Sequence, residues 1–227
     1  MAIVLLVRHG RSTANTSGTL AGRLPDIHLD ETGREQVELT GKRLASVPVA
    51  EVVTSPLERC RETAHAITGH HGLDATVDEA IIECGYGDWQ GRPLKDLAAE
   101  PLWKTVQNHP AAAAFPGGES LATMQARSVE AIRGHDARIT AANGEHAVWV
   151  AVSHGDIIKS VLADALGMHL DLFQRLHVDP ASVSIVRYGT RRPDVVAVNT
   201  AEGDLSWLRT AEPADDAPVG GGAGPRV

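Results

Sequence analysis

The chain is poor in aromatic residues. Two Phe, two Tyr and four Trp make up 4% of its 227 residues, so the core has to be built from Ala, Val, Leu and Ile. Cysteine is nearly absent, with only Cys60 and Cys84. Two thiols cannot form a disulfide framework or a closed zinc site of four thiolates. They read as free thiols in a reducing compartment. Positive charge is in deficit, with 21 Lys and Arg against 29 Asp and Glu and a formal net charge of −8. That balance excludes a broad basic footprint for nucleic acid or an anionic membrane. No apolar run approaches the length of a membrane span. The run from Ala2 to Val7 lacks the basic flank and the length of a secretion signal. The expected setting is soluble and cytoplasmic, and any anionic substrate must be held by local positive charge working against the global field.

Hydrophobic residues at 43% and charged residues at 22% are ordinary for a globular chain. The length suits one well-cored domain, expected over residues 1–210. Residues 211–227, with Pro, Asp and a Gly run, read as a disordered tail. Ile3 to Val7 is a short β-branched run with an abrupt polar end, as in a strand buried on both faces. Val49 to Thr54 and Ala147 to Val152 look alike. Asp30 is placed to cap a helix with Val37, Thr40 and Leu44 on its inner face. Ser55-Pro56-Leu57-Glu58 reads as a capping box with Pro in the first helical position, opening a helix to about Thr68.

Helix is also expected over Leu94 to Gln107, broken at Pro101. A longer one follows Gly117-Gly118, with Leu121, Met124, Ala131, Ile132 and Ile139 near one face. Asp156 to Leu166 has an apolar stripe of its own. Val183 to Tyr188 and Val195 to Val198 form a late hairpin. The alternation predicts an α/β fold: a three-layer αβα sandwich with a mainly parallel sheet and a C-terminal antiparallel hairpin. The free edge of that hairpin could pair subunits in a homo-oligomer.

Ligands of open α/β sheets bind beyond the carboxyl ends of the strands. The first strand delivers Arg8-His9-Gly10. The second delivers Ser55 and, one helical turn on, Arg59. The third delivers Ser153-His154-Gly155. If these strands are parallel neighbours, two Arg and two His converge, and helix N-termini add partial positive charge. The expected product is a compact dianion pocket. Arg59 supports this, because a cation in a first helical turn is disfavoured unless an anion sits beside it.

The same residues carry a resemblance. Arg8-His9-Gly10 is followed by Ser12 and Asn15. Then come Ser55 to Arg59 with Thr63-Ala64, and Glu83 before Gly87-Asp88-Trp89-Gln90-Gly91. Gly117-Gly118-Glu119-Ser120 and Ser153-His154-Gly155 complete the set. This order is similar to the histidine phosphatase superfamily, which holds phosphoglycerate mutases and broad acid phosphatases. One R-H-G occurs by chance; five ordered blocks over residues 3 to 200 are specific.

The resemblance implies a phosphoglycerate mutase-like fold and a role for each matched position. His9 would be the nucleophile, forming a phosphohistidine. Arg8 and Arg59 would clamp the non-bridging oxygens, with planar forks that match phosphate. His154 would be a second, protonated imidazole donating to the transferring group, and Asn15 a further phosphate contact. Glu83 would be the general acid and then the general base, which requires a raised pKa; Glu31, Glu51 and Asp88 are the rival acids. No metal or other cofactor is implied, since two Arg and a His supply the positive charge.

The residues also admit plainer readings. A lone strand-end His is usually structural, and it is the company of Arg8 and Gly10 that turns His9 toward catalysis. Asn15 could simply cap a turn. Trp89 reads as packing, and Gly117 to Ser120 as a helix start. Arg11, where many members of the family have Glu or Gln, could join Arg23 at the pocket mouth and favour a second anionic group; a solvated Arg is the alternative. Residues 91 to 117 carry only Arg92, Lys95 and Lys104 as cations and lack the Arg pair with which mutases of the family grip a second anion. Residues 110 to 116, PAAAAFP, are expected to form a mobile lid. The expected activity is hydrolysis of a small phosphorylated metabolite. The alternatives are a phosphoglycerate-type phosphomutase and a catalytically silent module that binds a phospho-ligand.

Overall fold

A computed structural model describes residues 2–201 and 203; the expected tail over 211–227 lies outside them. The chain opens with β1 (Ile3–Arg8) and a short helix α1 (Thr13–Ser17). Helix α2 (Glu31–Leu44), strand β2 (Val49–Thr54), helix α3 (Glu58–Thr68) and strand β3 (Ala75–Val77) follow. Helices α4 (Leu94–Leu97) and α5 (Pro101–Asn108) are separated where Pro101 sits in a first turn. Then come α6 (Leu121–Asn143), β4 (Val148–Ser153), α7 (Gly155–Ala165), β5 (Val183–Tyr188) and β6 (Pro193–Thr200).

The six strands form one sheet in the order β3-β2-β4-β1-β5-β6. The β1–β4, β2–β4 and β2–β3 pairs are parallel, whereas β5 and β6 are antiparallel additions. The strands β1 and β4 are apolar up to their last residues, Arg8 and Ser153, because both faces are covered. Ile3, Leu5 and Val7 of β1 and Val148, Val150 and Val152 of β4 pack with Leu44, Cys60, Ala64 and Ile67 of α2 and α3. Their neighbours Val4, Leu6, Trp149 and Ala151 pack on the other face against α6 and α7. The period-two alternation of side chains thus serves two helical layers at once.

Chain direction creates the site. After β1 the chain leaves through α2 on one face; after β4, the adjacent strand, it leaves through α7 on the other. The crevice between these two strand ends is a topological switch point, where such sheets bind ligands. The ladder continues just past the strand ends, with His9 N–H donating to Ser153 O at 3.0 Å and Ser55 N–H to Val152 O at 3.0 Å.

Three details depart from expectation. Helix α3 starts at Glu58 behind Leu57, with no side-chain cap, because the Ser55 hydroxyl is bound elsewhere. β3 is a three-residue edge strand, too short and too exposed to show a pattern. Residues 110–116 are not a lid. Ala113 and Phe115 are buried, and the Phe115 ring lies edge-on to Tyr86 at 4.9 Å and to Trp89 at 5.3 Å. Ala111 N–H donates to Asp171 Oδ1 at 2.9 Å, and Leu121 N–H to Ala113 O at 3.0 Å.

Leu5 is fully buried at the centre of the sheet. Leu5→Ala should cost about 2–5 kcal/mol from lost transfer energy and the cavity left behind, read as a lower urea midpoint with an unchanged slope.

Candidate active site

Arg8 ends β1, and His9 follows in extended backbone. The His9 Nδ1 lies 2.7 Å from Gly10 O, which makes it the protonated nitrogen and leaves the Nε2 lone pair free. Gly10 N–H donates to Thr63 Oγ1 at 3.1 Å, and Thr63 in turn donates to Arg59 O at 2.7 Å. These two bonds fix the His9 turn to α3. His154 is the residue before α7. Its ring centroid is 5.3 Å from that of His9, with planes at 62°. Its Nε2 bonds Ser55 Oγ at 2.8 Å, and its Nδ1 accepts from Arg59 Nη2 at 3.2 Å. Ser55, expected as a helix cap, instead orients the second imidazole.

Both imidazoles are buried, and both are held well below the usual histidine range, first by burial and then by the guanidinium of Arg59. Both are therefore neutral before substrate binds. The expectation of a protonated His154 concerned the site with a phosphoryl group bound; before an anion binds, burial and the two neighbouring guanidinium groups disfavour a third positive charge.

Arg59 is 2% exposed. It donates to Gly22 O at 2.8 Å through Nη2, and its Nη1 has no partner. Arg8 donates to Val178 O at 2.7 Å through Nη1, and its buried Nε is also unpartnered. Both residues line a cavity of about 290 Å³ with His9, Asn15, Glu83 and Lys159. Buried guanidinium donors without acceptors are costly, and an anion in that cavity would satisfy them. The N-terminus of α7, at Gly155, opens on the same cavity.

Glu83 lies in irregular backbone, with Oε1 accepting from Cys84 N–H at 2.9 Å and Oε2 3.9 Å from His154 Nδ1. Burial, and then the negative charge of Asp156, push its carboxyl up to about 7. Asp156 also lines the cavity and accepts from the Tyr86 hydroxyl at 2.8 Å. Of the rival acids, Glu31 and Asp88 are exposed, and Glu51 pairs with Arg138 through both oxygens. None of the three lines the cavity.

Asn15 lines the cavity and also closes a capping box, its Oδ1 accepting from Ser12 N–H at 3.0 Å. Arg11 is bound to Asp30 Oδ2 at 2.7 Å, and Arg23 to Glu83 O at 2.8 Å and Glu119 Oε1 at 2.6 Å. Neither lines the cavity; both are held by acidic or main-chain partners. Sequence reading missed Arg127, which donates to Glu83 O at 3.2 Å, and the pair Tyr86–Asp156. Glu119 precedes the Ser120 cap of α6 and Arg127 sits on that helix, so no helical spacing in the sequence joins them. Among the described residues no group of three His, Cys, Asp or Glu is arranged to hold a metal, and no helix is long and apolar enough to cross a membrane.

Fold and site together define an α/β sandwich that gathers two histidines and two arginines around one cavity at the carboxyl ends of its strands. The chain belongs to the histidine phosphatase superfamily (branch 1), whose family model matches residues 4–201. It is similar to phosphoserine phosphatase 1 of Hydrogenobacter thermophilus, 29% identical over 202 residues, covering 88% of this chain and 92% of that protein. A probable phosphoglycerate mutase GpmB of Yersinia enterocolitica is 30% identical over 190 residues, covering 83% and 86%. A mycobacterial glucosyl-3-phosphoglycerate phosphatase solved with VO3 superposes with a TM-score of 0.77 at 27% identity, covering 87% of this chain and 98% of that one.

The position of Glu83 has a cost. Its carboxyl titrates near 4.5 when unfolded and at about 7 when folded. Between those values the folded state holds a proton that the unfolded chain has lost, so this group lowers stability as pH rises through that window. Glu83→Gln should be more stable than the parent by on the order of 1–3 kcal/mol at pH 8, with the difference shrinking toward pH 5, read from urea melts at both values.

Proposed function

We propose that this protein hydrolyses phosphomonoesters through a phosphohistidine at His9, with Glu83 as general acid and then general base. The observation that carries this reading is one cavity lined by a neutral imidazole with its Nε2 free, two guanidinium groups with unpartnered N–H donors, and a carboxyl near 7. The dianion of a phosphomonoester would sit on Arg8, Arg59, Asn15 and His154. His9 Nε2 attacks phosphorus as the ester oxygen leaves in line, and Glu83 gives that oxygen its proton. Ionised Glu83 then takes a proton from water, the water oxygen bonds to phosphorus, and inorganic phosphate leaves with His9 restored. Covalent capture replaces one difficult displacement by two easier ones. The guanidinium groups stabilise charge on the equatorial oxygens, as phosphoryl transfer requires, so a metal need not supply it.

The cavity size suits a small phosphorylated metabolite, in keeping with relatives named for phosphoserine and glucosyl-3-phosphoglycerate. Two buried free thiols, with burial pushing Cys60 up to about 12, fit a reducing, cytoplasmic setting. The relative named as a mutase favours a second reading, phosphate exchange between two positions of one molecule. Such exchange needs a grip on a second anion. Beyond the clamp, Lys159 and His177 also line the cavity, hydrogen-bonded to Gln174 at 3.2 Å and Asp179 at 2.8 Å. Arg92, Lys95 and Lys104 do not line it, so hydrolysis is preferred.

An aryl phosphate should be hydrolysed undiminished in the presence of a chelator, and His9→Ala should lose at least about a thousandfold in kcat. With an alkyl phosphate, kcat/KM should fall about tenfold per unit as pH rises above about 7, because the reactive form of Glu83 is protonated. His9, with its pKa pushed down, stays neutral across that range. A strict divalent-metal requirement, or tight phosphate-ester binding without turnover, would overturn the reading.

A further inference from the structure

The carboxyl of Glu83 is poorly anchored by its own side chain. Its one short bond is to the next residue's N–H, and residues 83–86 belong to no helix or strand. Something else must fix where this residue sits. The Glu83 carbonyl oxygen accepts from Arg23 Nε at 2.8 Å and from Arg127 Nη2 at 3.2 Å. Arg127 also reaches Ala80 O at 2.8 Å through Nη1, and so spans the segment that delivers Glu83. Glu119 joins the two arginines. Its Oε1 accepts from Arg23 Nη2 at 2.6 Å, Arg127 Nη2 at 2.7 Å and Gly85 N–H at 2.8 Å, and its Oε2 from Arg127 Nε at 3.1 Å.

The two loops meet backbone to backbone. A Cβ on Gly118 would lie 2.1 Å from Gly85 O, and one on Gly87, where φ is +52°, would lie 2.1 Å from Pro116 O. Glu119 N–H donates to Gly85 O at 2.8 Å across the same seam. These contacts account for the two glycine motifs, neither of which lines the cavity.

We propose that Arg23, Arg127 and Glu119 are positioning residues that set the Glu83 carboxyl in register with the leaving-group oxygen, and that Arg23 is not a substrate-reading residue. The proposal rests on Glu83 being the general acid. None of the three lines the cavity, and the guanidinium nitrogens that hold Glu83 face its main chain and Glu119. A shift of about 1 Å in a reacting group can cost on the order of a hundredfold in rate. That loss would fall on the steps that use the Glu83 proton and spare phosphate binding.

The test compares kcat/KM on an alkyl phosphate, whose leaving oxygen needs a proton, with that on 4-nitrophenyl phosphate, whose leaving oxygen does not. Parent, Arg23→Gln, Glu83→Gln and the double variant are measured. Arg23→Gln should lower the alkyl-to-aryl ratio about tenfold or more, toward the ratio of Glu83→Gln. In the double variant the two losses should not add, since both act through one carboxyl. Equal loss on both substrates, or additive losses, would overturn the positioning role while leaving Glu83 as the acid. An unchanged ratio in Glu83→Gln would overturn the acid reading itself, and the proposal with it. Should Arg23→Gln fail to fold, Arg127→Lys keeps the charge but loses the fork. The same fall in the alkyl-to-aryl ratio is then expected of it, and equal loss on both substrates would again overturn the positioning role.

Discussion

Two guanidinium groups, one buried and one half-buried, beyond the carboxyl ends of the strands in a protein of net charge −8 are the constraint on which this molecule is organised. A guanidinium keeps its charge at any working pH, so burial cannot be relieved by losing a proton. Arg8 and Arg59 are each half-satisfied by a backbone carbonyl, Val178 O for one and Gly22 O for the other, and each keeps a nitrogen with no acceptor. The consequences spread to their neighbours. His9 and His154 are driven neutral, which leaves each ring a nitrogen lone pair. The core beneath offsets the cost, with β1 and β4 buried on both faces.

Topology explains why so few residues suffice. A parallel sheet puts the carboxyl ends of β1, β2 and β4 on the same side, and each end hands over the next residues without a long loop. The ladder runs on past the strands through His9 N–H and Ser55 N–H, so these side chains inherit the rigidity of the sheet. Glu83 is the exception, arriving on irregular backbone, and there two arginines and a carboxylate are committed to the main chain. A proton donor has to be fixed as well as a nucleophile does. Where no strand supplies that rigidity, an ionic cluster can.

What was legible in the sequence was what is local. The strand runs 3–7, 49–54 and 147–152, the Asp30 cap and the break at Pro101 depend on near neighbours, and the structure follows them closely. Residues grouped at strand ends were legible for the same reason, since short motifs carry them together. Long-range partners were not. Ser55 looks like a helix cap until His154, 99 residues away, takes its hydroxyl. Arg23 looks like a free cation at a pocket mouth until Glu119, 96 residues on, neutralises it. The run at 110–116 looks flexible by composition, yet Phe115 is pinned between Tyr86 and Trp89, an aromatic cluster assembled from separate segments.

The charge on His154 depends on its company, and sequence motifs do not show that company. Beside a phosphate dianion, a buried imidazole belongs in its charged form; between two arginines, it belongs in its neutral form. Both statements follow from the same Coulomb interaction with the sign of the neighbour changed. Binding of an anion and binding of a proton at this site therefore favour each other. Glu83 is subject to the same linkage in the same direction. A dianion arriving beside it opposes ionisation of the carboxyl and holds its proton in place. In the proposed reaction, substrate charge thus helps to prepare the acid that acts on it. The arrangement needs only that burial keep water from screening the exchange.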